Sequence, residues 1–264
     1  MELFTDIILI NLATVVVMMI IGWIISLAYR NVTVVDSLWG LGFVLIVWVT
    51  FVLSDGYRPR ASLIAALVTI WGLRLSLYLT KRNWGKGEDP RYGEWRRQSG
   101  DRFWIVSLFK VFLLQAAVMW CIALVLQYGQ MSPVPGHLTV LDAVGVIVWM
   151  TGFLFESIGD WQLARFKSSP ANKGKVMDRG LWAYSRHPNY FGEFLMWWGL
   201  FLVTLATPAS WWTIVSPVIV TVVLLKMTGI PLTEKAITRT RPQYDDYIER
   251  TSAFIPWFPK KGAK

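Results

Sequence analysis

The sequence predicts an all-α fold, a polytopic integral membrane protein with about seven transmembrane helices, and three observations carry that expectation. Hydrophobic residues make up 55% of the 264 and charged residues only 16%, where soluble domains run near a quarter charged. The apolar residues fall into runs close to the ~20 residues that a bilayer-spanning helix needs. The Lys and Arg residues, in turn, collect in alternate connections between those runs, as loops on one side of a membrane do.

The runs lie at about 6–29, 34–54, 61–80, 103–127, 138–160, 190–206 and 210–230. The first does not read as a cleavable signal peptide, because its apolar core is too long, no basic segment precedes it, and Glu2 and Asp6 are acidic. Residues 81–102 carry Lys81, Arg82, Lys86, Arg91, Arg96, Arg97 and Arg102. Residues 161–189 carry Arg165, Lys167, Lys173, Lys175, Arg179 and Arg186, and the tail from Lys226 is basic as well. The turns near 128–137 and 207–209 carry no Lys or Arg, and only Arg58 and Arg60 in the 55–60 turn run against the bias. The expected topology therefore has the N-terminus outside and the C-terminus cytoplasmic, in a multi-pass membrane protein. No linker separates two domains, so a single transmembrane domain over 1–264 is expected. Its spans 1–4 cover about 1–130, and its spans 5–7 with their loops about 138–258.

Several function classes drop out. The net charge of +9 belongs to the loops beside apolar spans, so the positive-inside rule explains it without nucleic acid. One cysteine, Cys121, and two histidines, His137 and His187, support neither a disulfide scaffold nor a Cys/His metal site. Cys121 sits mid-run as a small buried hydrophobe. No GxGxxG or Walker pattern is present. Many of the 16 tryptophans and 9 tyrosines close the apolar runs, where an apolar ring with a polar edge suits the membrane interface.

Ionisable residues inside spans are costly and mark functional candidates. These are Asp36, Arg74, Lys110, Asp142, Glu156, Asp160 and Glu193. Lys110 and Asp142 stand near span ends, where snorkelling or an interfacial pair accounts for them. Asp36 opens the second span and could serve as a helix cap. Arg74 and Tyr78 share one helix face, either as a structural pair partnered by Asp36 or as the lining of a polar cavity. Glu156 and Asp160 also share a face, with Arg165 and Lys167 following. Acid for hydroxyls beside base for phosphates suits a nucleotide, although a helix end paired with its own loop would read the same way.

Residues 179–193 read Arg-Gly-Leu-Trp-Ala-Tyr-Ser-Arg-His-Pro-Asn-Tyr-Phe-Gly-Glu. Pro188 holds His187 extended and lets a helix begin just after it. Arg179, Tyr184, Arg186, His187 and Asn189 then gather at a helix N-terminus, which favours phosphate. Together with the upstream Glu156-x-x-x-Asp160 and the Tyr244-x-x-Tyr247 before Ile-Pro-Trp, this string resembles the steroid 5α-reductase family in its bacterial branch. The resemblance is good over roughly 140–258 and looser over the first four spans. The Arg-His-Pro-Asn-Tyr core is also similar to that of isoprenylcysteine carboxyl methyltransferases and phospholipid methyltransferases, which use S-adenosylmethionine.

The reductase resemblance implies NADPH-dependent reduction of a carbon–carbon double bond conjugated to a ketone, in a lipidic substrate such as a 3-oxo-Δ4-steroid drawn from the bilayer. Carried onto this chain, it places Glu156 and Asp160 on the nucleotide and Arg165, Lys167 and Arg179 on its phosphates. Tyr184, His187, Asn189 and Glu193 form the cofactor turn, with Glu234, Tyr244 and Tyr247 as a closing wall. For the catalytic groups the resemblance points to Asp36 as the acid and to Tyr78 or Trp71 near the phenol position, with Arg74 beside them. The chain departs from better-known members at Glu156, where they carry Asn, and at His187-Pro188-Asn189, where they carry Gly-Ala-Asn.

Overall fold

In a computed structural model of the chain, residues 2–227, 229–241 and 243–260 are described, and among them there is no strand. The helices are α1 (Glu2–Tyr29), α2 (Val34–Leu53), α3 (Arg58–Asn83), α4 (Pro90–Ser99), α5 (Phe103–Ser107), α6 (Leu114–Ile122), α7 (Leu124–Met131), α8 (Val140–Ser168), α9 (Pro188–Leu205), α10 (Val215–Val222), α11 (Ile230–Thr238) and α12 (Tyr244–Arg250). Two π-helical stretches, Leu108–Leu113 and Val223–Met227, join α5 to α6 and extend α10.

Six segments of the described residues are long and apolar enough to cross a membrane: Phe4–Tyr29, Val34–Leu53, Arg58–Asn83, Pro90–Ile122, Val140–Ser168 and Trp211–Thr238. The chain is thus an integral, multi-pass membrane protein. The run expected at 190–206 is the helix α9, which opens on Pro-Asn-Tyr-Phe-Gly-Glu; those polar first turns keep it out of the apolar six. The fourth segment begins well before the apolar run at 103. Asp89 caps α4 by accepting from the Arg91 N–H at 2.9 Å, and Pro90 supplies a preset first turn, so part of the basic 81–102 loop is helical.

The chain divides into two compact units. The first holds the residues up to Thr139 together with Val203–Thr213, and the second holds Val140–Leu202 with the residues from Ile214 on. In the first unit α2 and α3 approach to backbone distance, since a Cβ on Gly72 would stand 2.6 Å from the Gly40 carbonyl oxygen. Phe43 and Trp71 pack beside that crossing with ring centroids 5.6 Å apart.

In the second unit the buried stripe of α8 is Asp142, Gly145, Trp149, Gly152, Glu156, Gly159 and Asp160. Steps of three and four residues keep that stripe on one helix face. Its glycines recur every seven residues and meet α9 running antiparallel: Gly145 faces Gly199, Gly152 faces Gly192, and Gly159 faces Asn189. A Cβ on Gly152 would stand 2.5 Å from the Gly192 oxygen, and one on Gly199 would stand 2.6 Å from the Gly145 oxygen. Close backbone approach through small residues is how helices associate where lipid removes the usual hydrophobic drive.

Candidate functional site

Three buried carboxylates of the second unit, Asp142, Glu156 and Asp160, lie on the glycine stripe. Glu156 and Asp160 are each 4% exposed and one helical turn apart on α8. Because Gly152 and Gly159 carry no side chain, the first turns of α9 lie directly against that face. Asn189 there donates from Nδ2 to Asp160 Oδ1 at 3.2 Å, and its own Oδ1 is buried without a partner. Glu193 follows one turn later, half-buried.

The chain leading into α9 is bound along the last turns of α8. Trp182 donates from Nε1 to the Gly159 carbonyl at 3.0 Å, and the Leu181 N–H donates to Gln162 Oε1 at 3.0 Å. Gly180 makes that path possible: its φ of +63° is left-handed, and a Cβ would run into the Gln162 side chain.

The turn Ser185–His187 is tied to the tail. Arg186 is buried; its Nε donates to Glu234 Oε1 at 2.8 Å and its Nη1 to the Ile248 and Thr251 carbonyls at 3.0 and 2.6 Å. His187 Nε2 reaches the same Glu234 oxygen at 3.1 Å, and its ring stacks on Tyr190. The Arg186 N–H donates to the Ser252 carbonyl, and Ser185 Oγ donates to that of Phe254. Tyr244 and Tyr247 are buried, and the Tyr247 hydroxyl donates to the Trp182 carbonyl. Burial pushes both phenols well above their ordinary range, and the neighbouring Glu234 adds to this at Tyr244. Tyr184 is half out, with its carbonyl bonded by the Trp257 N–H and its ring edge-on to Phe258.

The sequence suggested a phosphate role for the Arg186–His187 turn. With its donors on Glu234 and two carbonyls, Arg186 instead holds the tail. Glu234, Tyr244 and Tyr247 form the wall of that junction. The exposed cations nearby in the chain are Arg165, whose guanidinium lies 5.5 Å over the Trp161 ring, together with Lys167, Lys173, Lys175 and Arg179. The second unit therefore offers buried oxygen acceptors for hydroxyls and exposed cations for phosphate.

In the first unit Asp36 sits in the first turn of α2. Its Oδ2 accepts from Asn83 Nδ2 at 3.3 Å and lies 3.5 Å from Arg82. Arg74 lies 5.4 Å over the Tyr78 ring, one turn apart on α3. Lys110 is exposed and stands 4.2 Å over the Trp95 ring, whereas Asp142 at the start of α8 is buried at 2% exposure.

Tyr92 and Glu88 escaped the sequence reading because they fall in a polar loop. Tyr92 is buried, bonds Gln115 and feels the charge of Asp36. Glu88 takes a two-pronged bond from Arg96, at 2.8 and 2.7 Å, and a third from the Val32 N–H at 2.9 Å. Burial alone would raise its carboxyl, but those hydrogen bonds hold it below the ordinary range. The Asp89 N–H adds a bond to Thr33 Oγ1 at 2.8 Å, so the loop ahead of α4 is pinned over the start of α2. Among the described residues there is no group of three His, Cys, Asp or Glu able to hold a metal.

The family model described as "Protein of unknown function (DUF1295)" matches residues 22–251, and the chain belongs to that family. It is similar to "Uncharacterized protein C594.04c" of Schizosaccharomyces pombe, at 25% identity over 267 residues, covering 89% of this chain and 75% of the relative. No solved structure matches.

Proposed function

We propose that the chain is an NADPH-dependent oxidoreductase of the bacterial inner membrane that reduces a double bond conjugated to a ketone in a lipidic, steroid-like substrate. The observation that carries the reading is the Asp160–Asn189 contact beside Gly159. There, two carboxylates and the unpartnered, buried Asn189 Oδ1 gather at the start of α9. A dinucleotide presents ribose hydroxyls and phosphates, which match acceptors of this kind and a helix N-terminus respectively.

In this reading Glu156 and Asp160 accept from hydroxyls, and Asn189 and Glu193 line the start of α9. Arg165, Lys167 and Arg179 neutralise phosphate. Tyr184 and His187, with Glu234, Tyr244 and Tyr247, hold the turn and tail that frame the nucleotide. Bound NADPH would supply a hydride to the β-carbon of the enone, leaving NADP+, and water would supply the proton to the α-carbon. Asp36, as the protonated carboxyl, is assigned the hydrogen bond donated to the ketone oxygen that stabilises the developing enolate, with Arg74 and Tyr78 as its associates.

Thermal stability of the purified protein tests the cofactor. A ligand that binds only the folded state, present at 100 times its Kd, stabilises by about 2.7 kcal/mol. NADPH should raise the unfolding midpoint and S-adenosylmethionine should not, and Asp160→Ala should lose the NADPH shift. A shift with S-adenosylmethionine alone would transfer the chain to a membrane methyltransferase of the isoprenylcysteine carboxyl or phospholipid type. No shift with either would remove the nucleotide.

A further inference from the structure

Three large apolar side chains stand exposed near the end of the chain: Ile255 at 64%, Trp257 at 70% and Phe258 at 76%. They lie beyond the last apolar segment, which ends at Thr238, so no span accounts for them. The backbone that carries them is nonetheless fixed. The Trp257 N–H donates to the Tyr184 carbonyl at 2.9 Å, the Lys260 N–H donates to that of Arg250 at 2.9 Å, and the Phe254 carbonyl accepts from Ser185 Oγ at 2.8 Å. Apolar side chains held clear of the core on a bonded backbone mark a contact surface.

The level of that surface follows from α8. Val144, Ile147, Met150, Leu154, Ile158 and Trp161 are exposed in steps of three and four, which makes them the lipid-facing stripe of that span. The stripe stops at Trp161, where the Arg165 guanidinium lies over the ring and a polar loop begins, as at a membrane interface. The same turn of α8 holds Trp182 through Gly159 and Leu181 through Gln162. Tyr184, two residues further on, accepts from Trp257. The aromatic tail is therefore bound where the lipid-facing stripe ends.

We propose that residues 255–260 dock on the headgroup layer of the protein's own membrane, with the aromatic side chains among the headgroups and anionic lipid drawn to the lysines around them. Lys260 is exposed two residues after Phe258, and the sequence after Thr251 holds no acid. Lys173 and Lys175 are exposed on a loop tied to the same tail. Arg241 Nη1 donates to the Lys175 carbonyl at 2.8 Å, and Gln243 Nε2 donates to that of Gly174 at 2.7 Å. The one acid in 161–179 is Asp178, and it is paired with Arg250 at 2.6 Å. Asp245, Asp246 and Glu249 are exposed on α12; an anionic surface repels them, which leaves the contact to the segment that follows. Aromatic residues beside lysines suit a segment that lies on anionic lipid rather than spans it. None of the three lysines serves the nucleotide in the reading above.

The test uses the full chain in nanodiscs, with Cys121→Ala and a nitroxide on Trp257→Cys; a nitroxide on Asp245→Cys instead gives the water-exposed reference. In phosphatidylcholine mixed with phosphatidylglycerol, the label at 257 should collide with oxygen more than with a neutral nickel chelate, and the label at 245 the reverse. Leaving out phosphatidylglycerol should raise the chelate collisions at 257. Lys173→Glu, Lys175→Glu and Lys260→Glu together should raise them in the mixed lipid, since each lysine favours an anionic surface about fivefold. The unfolding midpoint should be kept, because all three side chains are exposed. A label at 257 as open to the chelate as the one at 245 would overturn the docking. So would a label closed to both colliders, which marks a protein partner, or one indifferent to phosphatidylglycerol and to the lysines.

Discussion

The guanidinium of Arg186 joins three pieces of chain: its own turn, Glu234 on α11, and the carbonyls that end α12. Removing one member of a buried pair leaves its partner and two carbonyls unmet, which costs about 3 kcal/mol or more. Arg186→Met should therefore lower the unfolding midpoint by several degrees and open the tail to protease; an unchanged midpoint would reduce the junction to a surface contact. The pH profile has two edges. Glu88 titrates lower when folded, so its contribution is present above its ordinary value of 4.5 and lost as pH falls through the folded value. Tyr244 and Tyr247 titrate higher when folded, so theirs is present below 10.0 and lost as pH climbs. Midpoints measured across pH should form a plateau between those edges, and a profile flat into strong acid would discount the Glu88 bonds. Asp36→Asn should lower turnover more than NADPH affinity; unchanged turnover would remove Asp36 from the chemistry. Ionisable residues in spans were legible because charge is rare there. The buried amides Asn11, Gln127 and Gln130 were not, because uncharged side chains leave no mark in a charge map.

At the scale of elements, hydropathy located the long helices because span length is set by the bilayer. It could not locate the π-helical stretches at Leu108–Leu113 and Val223–Met227, which depend on side-chain packing rather than composition. Nor did it read α4, whose Asp89 cap and Pro90 start a helix inside a loop chosen for its charge. The α8–α9 contact gives a direct check. Gly192→Leu places a branched side chain against the Gly152 oxygen and the Glu156 backbone. Overpacking of that kind costs about 1–3 kcal/mol or more, and it should abolish the NADPH shift even where the protein still folds. A folded Gly192→Leu that kept the shift would uncouple the cofactor from the helix pair.

For the molecule as a whole, the six apolar segments among the described residues predict that the protein stays with the membrane through alkaline carbonate washing and leaves only with detergent. Release by carbonate would contradict the multi-pass assignment. The carboxylate helix and the start of α9 were legible from the 179–193 string and the four-residue Glu–Asp spacing. The junction with the tail was not, since nothing in the spacing of Arg186 and Glu234 along the chain foretells their meeting. The glycine register on α8 also limits which insertions and deletions this protein can accept. One residue added between Gly152 and Glu156 would swing Glu156 and Asp160 by ~100° off the α9 face, whereas seven would return them to within ~20° of it. Relatives with extra residues between Gly152 and Glu156 should therefore carry about seven or about eleven of them, each within ~20° of whole turns. The count offers a way to judge, from sequence alone, which of them keep both carboxylates facing inward.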